Sequence, residues 1–114
     1  MLEVDIKDKT ALVTGGGQGL GASTAAILSK AGANLVINYF EEGGGINRNR
    51  AEETAKKLSG DSIVVAADVR NADAVNSMLD EAVSRFGTLD IVVNNAGVLR
   101  DRTVKKMNID EWQM

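Results

Sequence analysis

Apolar positions fall in short blocks along the chain rather than alternating with polar ones. Ala11-Leu12-Val13, Leu35-Val36-Ile37, Ile63-Val64-Val65-Ala66-Ala67 and Ile91-Val92-Val93 form four such blocks. Continuous apolar runs of this length, bounded by turn residues, predict strands covered on both faces. The expected strands are 10–13, 34–39, 62–67 and 88–93. Between them the period changes. Residues 22–31 carry Ala22, Ala25, Ala26, Ile27 and Ala31, small enough to let a helix lie close to a sheet, and Gly32 is a natural stop. Residues 51–58 predict a second helix, with Glu52 and Lys56 at a supportive four-residue spacing. A third helix carries Val75, Met78, Leu79, Ala82, Val83 and Phe86, whose three-and-four spacing defines a core-facing stripe. Asn71 or Asp73 would cap its start, and Gly87 would end it. The segment 41–50 holds three consecutive glycines and two arginines and is expected to be a mobile surface loop.

The resulting order, β-α-β-α-β-α-β, implies an α/β fold with a parallel sheet and helices on both faces. Such sheets bind ligands outside the carboxyl ends of their strands. Thr14, Asp68 and Asn94 all fall at those ends, so one crevice would collect them.

Composition narrows the chemistry. The 114 residues allow one domain with a modest core. There is no cysteine and no histidine, which excludes disulfides, thiolate nucleophiles, cysteine metal sites and an imidazole base. A net charge of −3 offers no footprint for nucleic acid. No stretch approaches the roughly 20 apolar residues of a membrane span, and residues 1–9 lack the apolar run of a signal peptide. A cytoplasmic protein with no membrane partner and no metal is the expectation.

The richest stretch is Thr14-Gly15-Gly16-Gly17-Gln18-Gly19-Leu20-Gly21. A strand runs into it and a helix leaves it. A packed strand gains nothing from five glycines, whereas a tight turn that lets a ligand touch backbone does. The free N–H groups and the dipole of the following helix favour an anion such as a diphosphate.

Thr14-Gly15-(three residues)-Gly19-Leu20-Gly21 resembles the cofactor motif of the short-chain dehydrogenases/reductases. Asn94-Asn95-Ala96-Gly97 is similar to that family's motif after the fourth strand, and Asp68-Val69 to its aspartate-hydrophobic pair after the third. The resemblance covers essentially the whole chain and implies a Rossmann-type three-layer fold. It also implies roles. Thr14, Gly15, Gly17, Gln18, Gly19, Leu20 and Gly21 would form the diphosphate and ribose pocket, with Tyr39 beside the adenosine. Asp68 would accept from the adenine amino group next to Val69, and Asn94, Ala96 and Gly97 would line the cofactor ribose. Apart from the resemblance, Asp68 reads equally as a helix-start carboxylate, and Asn94 and Asn95 as turn formers.

Within the family, Leu99-Arg100-Asp101-Arg102 and Glu111-Trp112 are similar to segments of bacterial 3-oxoacyl-[acyl-carrier-protein] reductases. The Leu99-Arg100-Asp101-Arg102 run, with the glycine-bearing loop at Gly43 to Gly45, is also similar to the 3-hydroxyacyl-CoA dehydrogenase part of multifunctional β-oxidation enzymes. Arg100, Arg102, Lys105 and Lys106 would guide an acidic carrier or simply form a solvated face. The family's serine-tyrosine-lysine group would lie beyond Met114. Residues 1–114 are therefore expected to be the amino-terminal, cofactor-binding part of a longer reductase, truncated after about four strands and inactive alone. No residue in it is assigned a catalytic role. A non-catalytic nucleotide-binding or interaction fragment is the alternative. The expected cofactor is a nicotinamide dinucleotide, NADP, with NAD as the alternative. No carboxylate stands at Tyr39, where an NAD-preferring relative carries one, and Arg48 or Arg50 would swing in to a 2′-phosphate. The substrate of the full-length enzyme would be an acyl thioester or another small carbonyl or alcohol. Self-association is expected from an exposed edge at strand four.

Overall fold

Every residue of β1 (Thr10–Thr14) is buried, and the other elements are arranged around it. The structure, a computed structural model, describes residues 6–17 and 19–95. Gln18, Ala96, Gly97 and the 99–112 segment singled out above lie outside the described residues. β2 (Asn34–Tyr39) and β4 (Ile91–Asn94) flank β1 on its two sides, and β3 (Ser62–Ala66) lies beyond β2. The sheet order is β3-β2-β1-β4, and all three pairings are parallel. Ala11 stands opposite Leu35 on one side and Ile91 on the other.

Side chains of a strand leave alternate faces, so β1 seeds two cores. Leu12 joins Val36, Val65 and Leu89 on one face, covered by Val75, Met78, Leu79 and Ala82 of α3 (Ala72–Phe86). Ala11 and Val13 join Leu35 and Ile37 on the other, covered by Ala25 of α1 (Gly19–Lys30) and Ala51 of α2 (Ile46–Lys56). The expected three-layer α/β fold is therefore the one observed. The Asn71 side chain caps α3, accepting from the Ala74 N–H at 3.0 Å, and Gly87 ends it with φ 86°. Among the described residues, no helix is long and apolar enough to cross a membrane.

Four local expectations change. α1 starts at Gly19, and its buried stripe is Gly21, Ala25 and Ser29; Ala26 is exposed and Ile27 is 69% exposed. The sheet leaves only a narrow seat for this helix, which the four-residue stripe of small side chains fills. β4 starts at Ile91, because Asp90 turns aside to accept from the Thr10 N–H at 2.9 Å and from Thr88 Oγ1 at 3.1 Å. The segment 41–50 is not a loop throughout, since residues 46–50 are the first turn and more of α2. The Glu42 carboxylate accepts from the Asn47 N–H at 2.9 Å, and Asn47 Nδ2 donates to the Phe40 carbonyl at 2.9 Å. These two bonds close the Gly43–Gly45 turn and satisfy the start of the helix. The ion pairs along α2 are Arg48–Glu52 at 3.2 Å and Glu53–Lys56 at 3.6 Å, in place of the expected Glu52–Lys56.

Two substitutions separate the packed stripe from the exposed one. Met78→Ala, at a position 1% exposed, is expected to cost about 2–5 kcal/mol in urea unfolding. Ile27→Ala should stay within about 0.5 kcal/mol of the parent.

Candidate functional site

The carboxyl ends of β1, β2 and β4 meet at Gly15. Its N–H donates to Asn38 Oδ1 at 3.4 Å, and its carbonyl accepts from Asn95 Nδ2 at 3.2 Å. Asn38, the penultimate residue of β2, is 2% exposed. Its Nδ2 donates to the carbonyls of Ala67 at 3.1 Å and of Tyr39 and Val65 at 3.4 Å, and its own carbonyl accepts from Gly16 N–H at 3.2 Å. Thr14 Oγ1 donates to Asn94 Oδ1 at 3.2 Å. The glycine turn is thus held from β2 on one side and from β4 on the other.

Two glycines are required by close approach. A Cβ on Gly21 would collide with the Gly15 carbonyl and lie 2.7 Å from Asn95 Nδ2. A Cβ on Gly17 would lie 2.8 Å from the Ala51 nitrogen. The α2 backbone therefore rests directly on the turn, and Thr54 Oγ1 donates to the Gly17 carbonyl at 3.2 Å. Gly19 and Leu20 start α1 at the exposed rim, Leu20 being 75% exposed.

Cavities run along this end of the sheet. One of about 100 Å³ is lined by Gly15, Gly17, Tyr39, Phe40, Asn47 and Arg50. A second, of about 350 Å³, is lined by Gly15, Asn38, Phe40, Ala67, Asp68, Val69 and Arg70. Gly15 and Phe40 belong to both, so the two are lobes of one groove. A third, also about 350 Å³, lies on the far side of Gly17 and Arg50. Among the described residues no group of acidic side chains is placed to hold a metal ion.

Tyr39 Oη donates to Glu41 Oε1 at 3.4 Å; burial first, and then the Glu41 charge, push the phenol above its ordinary pKa. Asp68 is bound to Arg70 three ways. Arg70 Nε and its backbone N–H reach Oδ1, and Nη2 reaches Oδ2, each at 2.9 Å. The Arg70 side chain, then its backbone N–H, hold the Asp68 carboxyl below the usual aspartate range.

The structure therefore brings together Thr14, Gly15, Gly17, Tyr39, Asp68, Val69 and Asn94 from the expected set, with Gly19, Leu20 and Gly21 adjoining. Sequence reasoning missed Asn38, Phe40, Asn47, Thr54 and Arg70, and gave Asn95 no specific contact. A polar residue directly after the apolar run Leu35-Val36-Ile37, still inside the strand, was the signal for Asn38. Of the two arginines, Arg50 lines the groove, while Arg48 is engaged with Glu52. The arrangement offers an anion seat at the turn and Arg50, and a hydrogen-bond acceptor at Asp68. That pattern suits an elongated ligand with phosphates at one end and a donor-bearing ring at the other.

A family model described as short chain dehydrogenase matches residues 9–114. The chain is similar to the 3-oxoacyl-[acyl-carrier-protein] reductase FabG of Staphylococcus aureus, 41% identical over 107 residues that are 91% of this chain and 42% of the relative. It is equally similar to versicolorin reductase stcU of Emericella nidulans, 41% identical over 107 residues, 91% of this chain and 39% of that protein. The crystal structure of a dehydrogenase/reductase from Sinorhizobium meliloti 1021 superposes with a TM-score of 0.73 at 33% identity, covering 80% of this chain and 35% of that one. The chain thus spans about two fifths of the length of these relatives.

Two outcomes test the site's construction. Gly21→Ala is expected to destabilise by about 2 kcal/mol or more, whereas Gly43→Ala, with open space around it, should stay within about 0.5 kcal/mol, both by urea unfolding. The Asp68–Arg70 contact is present above the ordinary carboxylate range and is lost as pH falls through the lowered folded value; solvent screening of this exposed pair keeps its effect on stability small. NMR titration should find the Asp68 carboxyl below the usual aspartate value in the parent, and raised part of the way back in Arg70→Ala, which keeps the backbone N–H contact.

Proposed function

The chain belongs to the short-chain dehydrogenase family, and we propose that it is the cofactor-binding part of an NADPH-dependent reductase of a 3-oxoacyl thioester. The observation that carries the cofactor choice is Arg50 in the small cavity beside Gly15, Gly17 and Tyr39. Among the described residues, no carboxylate lines that cavity. Glu41 accepts from the Tyr39 hydroxyl, and Glu42 accepts at the start of α2. Cationic character with both nearby acids otherwise engaged favours a 2′-phosphate over bare ribose hydroxyls.

The residues fit the rest of a dinucleotide. The glycine turn admits a diphosphate where a Cβ on Gly17 or Gly21 would fill the space. Asp68 presents an ionised acceptor to a ring amine. When bound, the cofactor supplies the hydride. The work of this chain is to bind and orient it, with Asn38 and Asn95 holding the turn to its shape. The 3-oxoacyl substrate is supported by the identity to the Staphylococcus aureus reductase. The same identity to versicolorin reductase supports a second reading, a reductase of a different substrate. Half-buried Ile91, Val92 and Val93 on an edge strand support self-association.

Calorimetry on the 114-residue chain should show NADPH binding about tenfold tighter than NADH. Arg50→Ala should remove that preference while leaving NADH unchanged, and Arg48→Ala should leave both unchanged. Equal or tighter NADH binding by the parent would overturn the assignment. The chain alone is expected not to oxidise NADPH with a 3-oxoacyl thioester, and a longer protein containing it is expected to do so.

A further inference from the structure

The crevice between α1 and α2 gathers positive charge for which the cofactor groove does not account. α2 and its C-cap carry four cations, Arg48, Arg50, Lys56 and Lys57, and two acids, Glu52 and Glu53. Both acids are engaged along the helix, Glu52 with Arg48 at 3.2 Å and Glu53 with Lys56 at 3.6 Å. Lys57 makes no ion pair among the described residues. The excess of positive charge therefore falls on Arg50 and Lys57, and both line the cavity of about 350 Å³ outside the glycine turn. Gly17, Ala22 and the buried Thr54 form its floor, and the exposed Arg50 and Lys57 form its rim. Glu53 lines the same cavity with its carboxylate given to Lys56.

Two cations on one side of a helix, with the nearby acid already paired, suit a compact multivalent anion. Arg50 and Lys57 are seven residues apart, which is about 10 Å along a helix axis. Helical side chains lean toward the N-terminus, and this brings the reach of Lys57 back toward Arg50. A guanidinium fork at one end and an ammonium at the other match the oxygens of a diphosphate or a longer polyphosphate. Arg50 also lines the small cavity with Gly15 and Tyr39, on the other side of Gly17. One guanidinium thus borders two anion seats, and it cannot fork onto phosphates in both at once.

We infer that the α1–α2 crevice is a second anion site, which takes a polyphosphate anion between Arg50 and Lys57 and, when filled, withdraws Arg50 from the cofactor groove. Occupation of the crevice then weakens NADPH and spares NADH. This regulatory effect rests on the proposed role of Arg50 toward a 2′-phosphate, whereas the crevice site itself does not.

The test uses inorganic pyrophosphate with the 114-residue chain, at an ionic strength held constant with chloride so that general screening is the same throughout. In amide NMR the pyrophosphate should shift Ala22, Thr54 and Lys57 along one saturable curve. Lys57→Ala should weaken that binding about tenfold, and Lys57→Arg should restore it. Lys57 is exposed at the end of α2, so both variants should keep the parent's thermal melt. In calorimetry, saturating pyrophosphate should weaken NADPH about fivefold and leave NADH unchanged. Linkage requires NADPH to weaken pyrophosphate by the same factor. Lys57→Ala, with its NADPH affinity in chloride equal to the parent's, should lose the pyrophosphate effect. Shifts confined to Gly15, Phe40 and Asp68 would place the pyrophosphate in the cofactor groove and overturn the inference. An undiminished effect in Lys57→Ala, or equal weakening of NADPH and NADH, overturns it as well. A parent with no preference for NADPH would sink the cofactor reading and the regulation with it. Lys57-dependent shifts at Ala22 and Thr54 would then still establish the crevice as an anion site.

Discussion

The peptide of Gly15 is the point on which both the fold and the site depend. Its donor goes to Asn38 at the end of β2, and its acceptor is met by Asn95 just after β4. Both contacts require that β2 and β4 be the two neighbours of β1, which is the sheet order observed. A buried amide such as that of Asn38 is costly unless its polar atoms are met. Here they are met only when the turn, the end of β2 and the residues after β3 are all in place. The order of strands and the shape of the ligand seat are consequently one constraint.

Much of this was legible in the chain. Four apolar blocks gave four strands, but only the central β1 and β2 are buried on both faces; β3 and β4, at the two edges of the sheet, are half-buried, which an unalternating run does not reveal. The stripe from Val75 to Ala82 gave α3 its face. The start of α2 was not legible. Three glycines and two arginines have the local chemistry of a loop, and what makes Ile46–Arg50 helical lies elsewhere. Ala51 rests on Gly17, Thr54 reaches the Gly17 carbonyl, and Glu42 serves the Asn47 N–H. Long-range contacts overrode local preference. Ile27 was misplaced for a related reason, since spacing shows that a helix has an apolar face but not how wide a seat the sheet leaves for it. Asn38 and Arg70 were missed because each stands beside a more conspicuous neighbour, Tyr39 in one case and Asp68 in the other.

The position of α2 also explains how charge is distributed around the groove. Of the two acids after β2, Glu41 turns to a phenol and Glu42 to a helix start. Arg48 lies along the outer surface with Glu52. Arg50, two residues on and so about 200° round the helix, lines the groove, and the register that puts it there is set where Gly17 admits the backbone of Ala51. Replacing a loop by a helix thus separates two equivalent-looking arginines, one paired along the helix surface and one lining the groove.

The sheet order has a consequence for biosynthesis. β1 emerges from the ribosome first, and its β2 partner follows after a single helix. Its other neighbour begins at Ile91, and the contact between Thr10 and Asp90 spans 80 positions. Throughout the intervening translation the future centre of the sheet has one bare flank, with Ala11, Leu12 and Val13 still short of a hydrogen-bonding partner. Of the four described strands, the earliest to be made is therefore the last to gain its second neighbour.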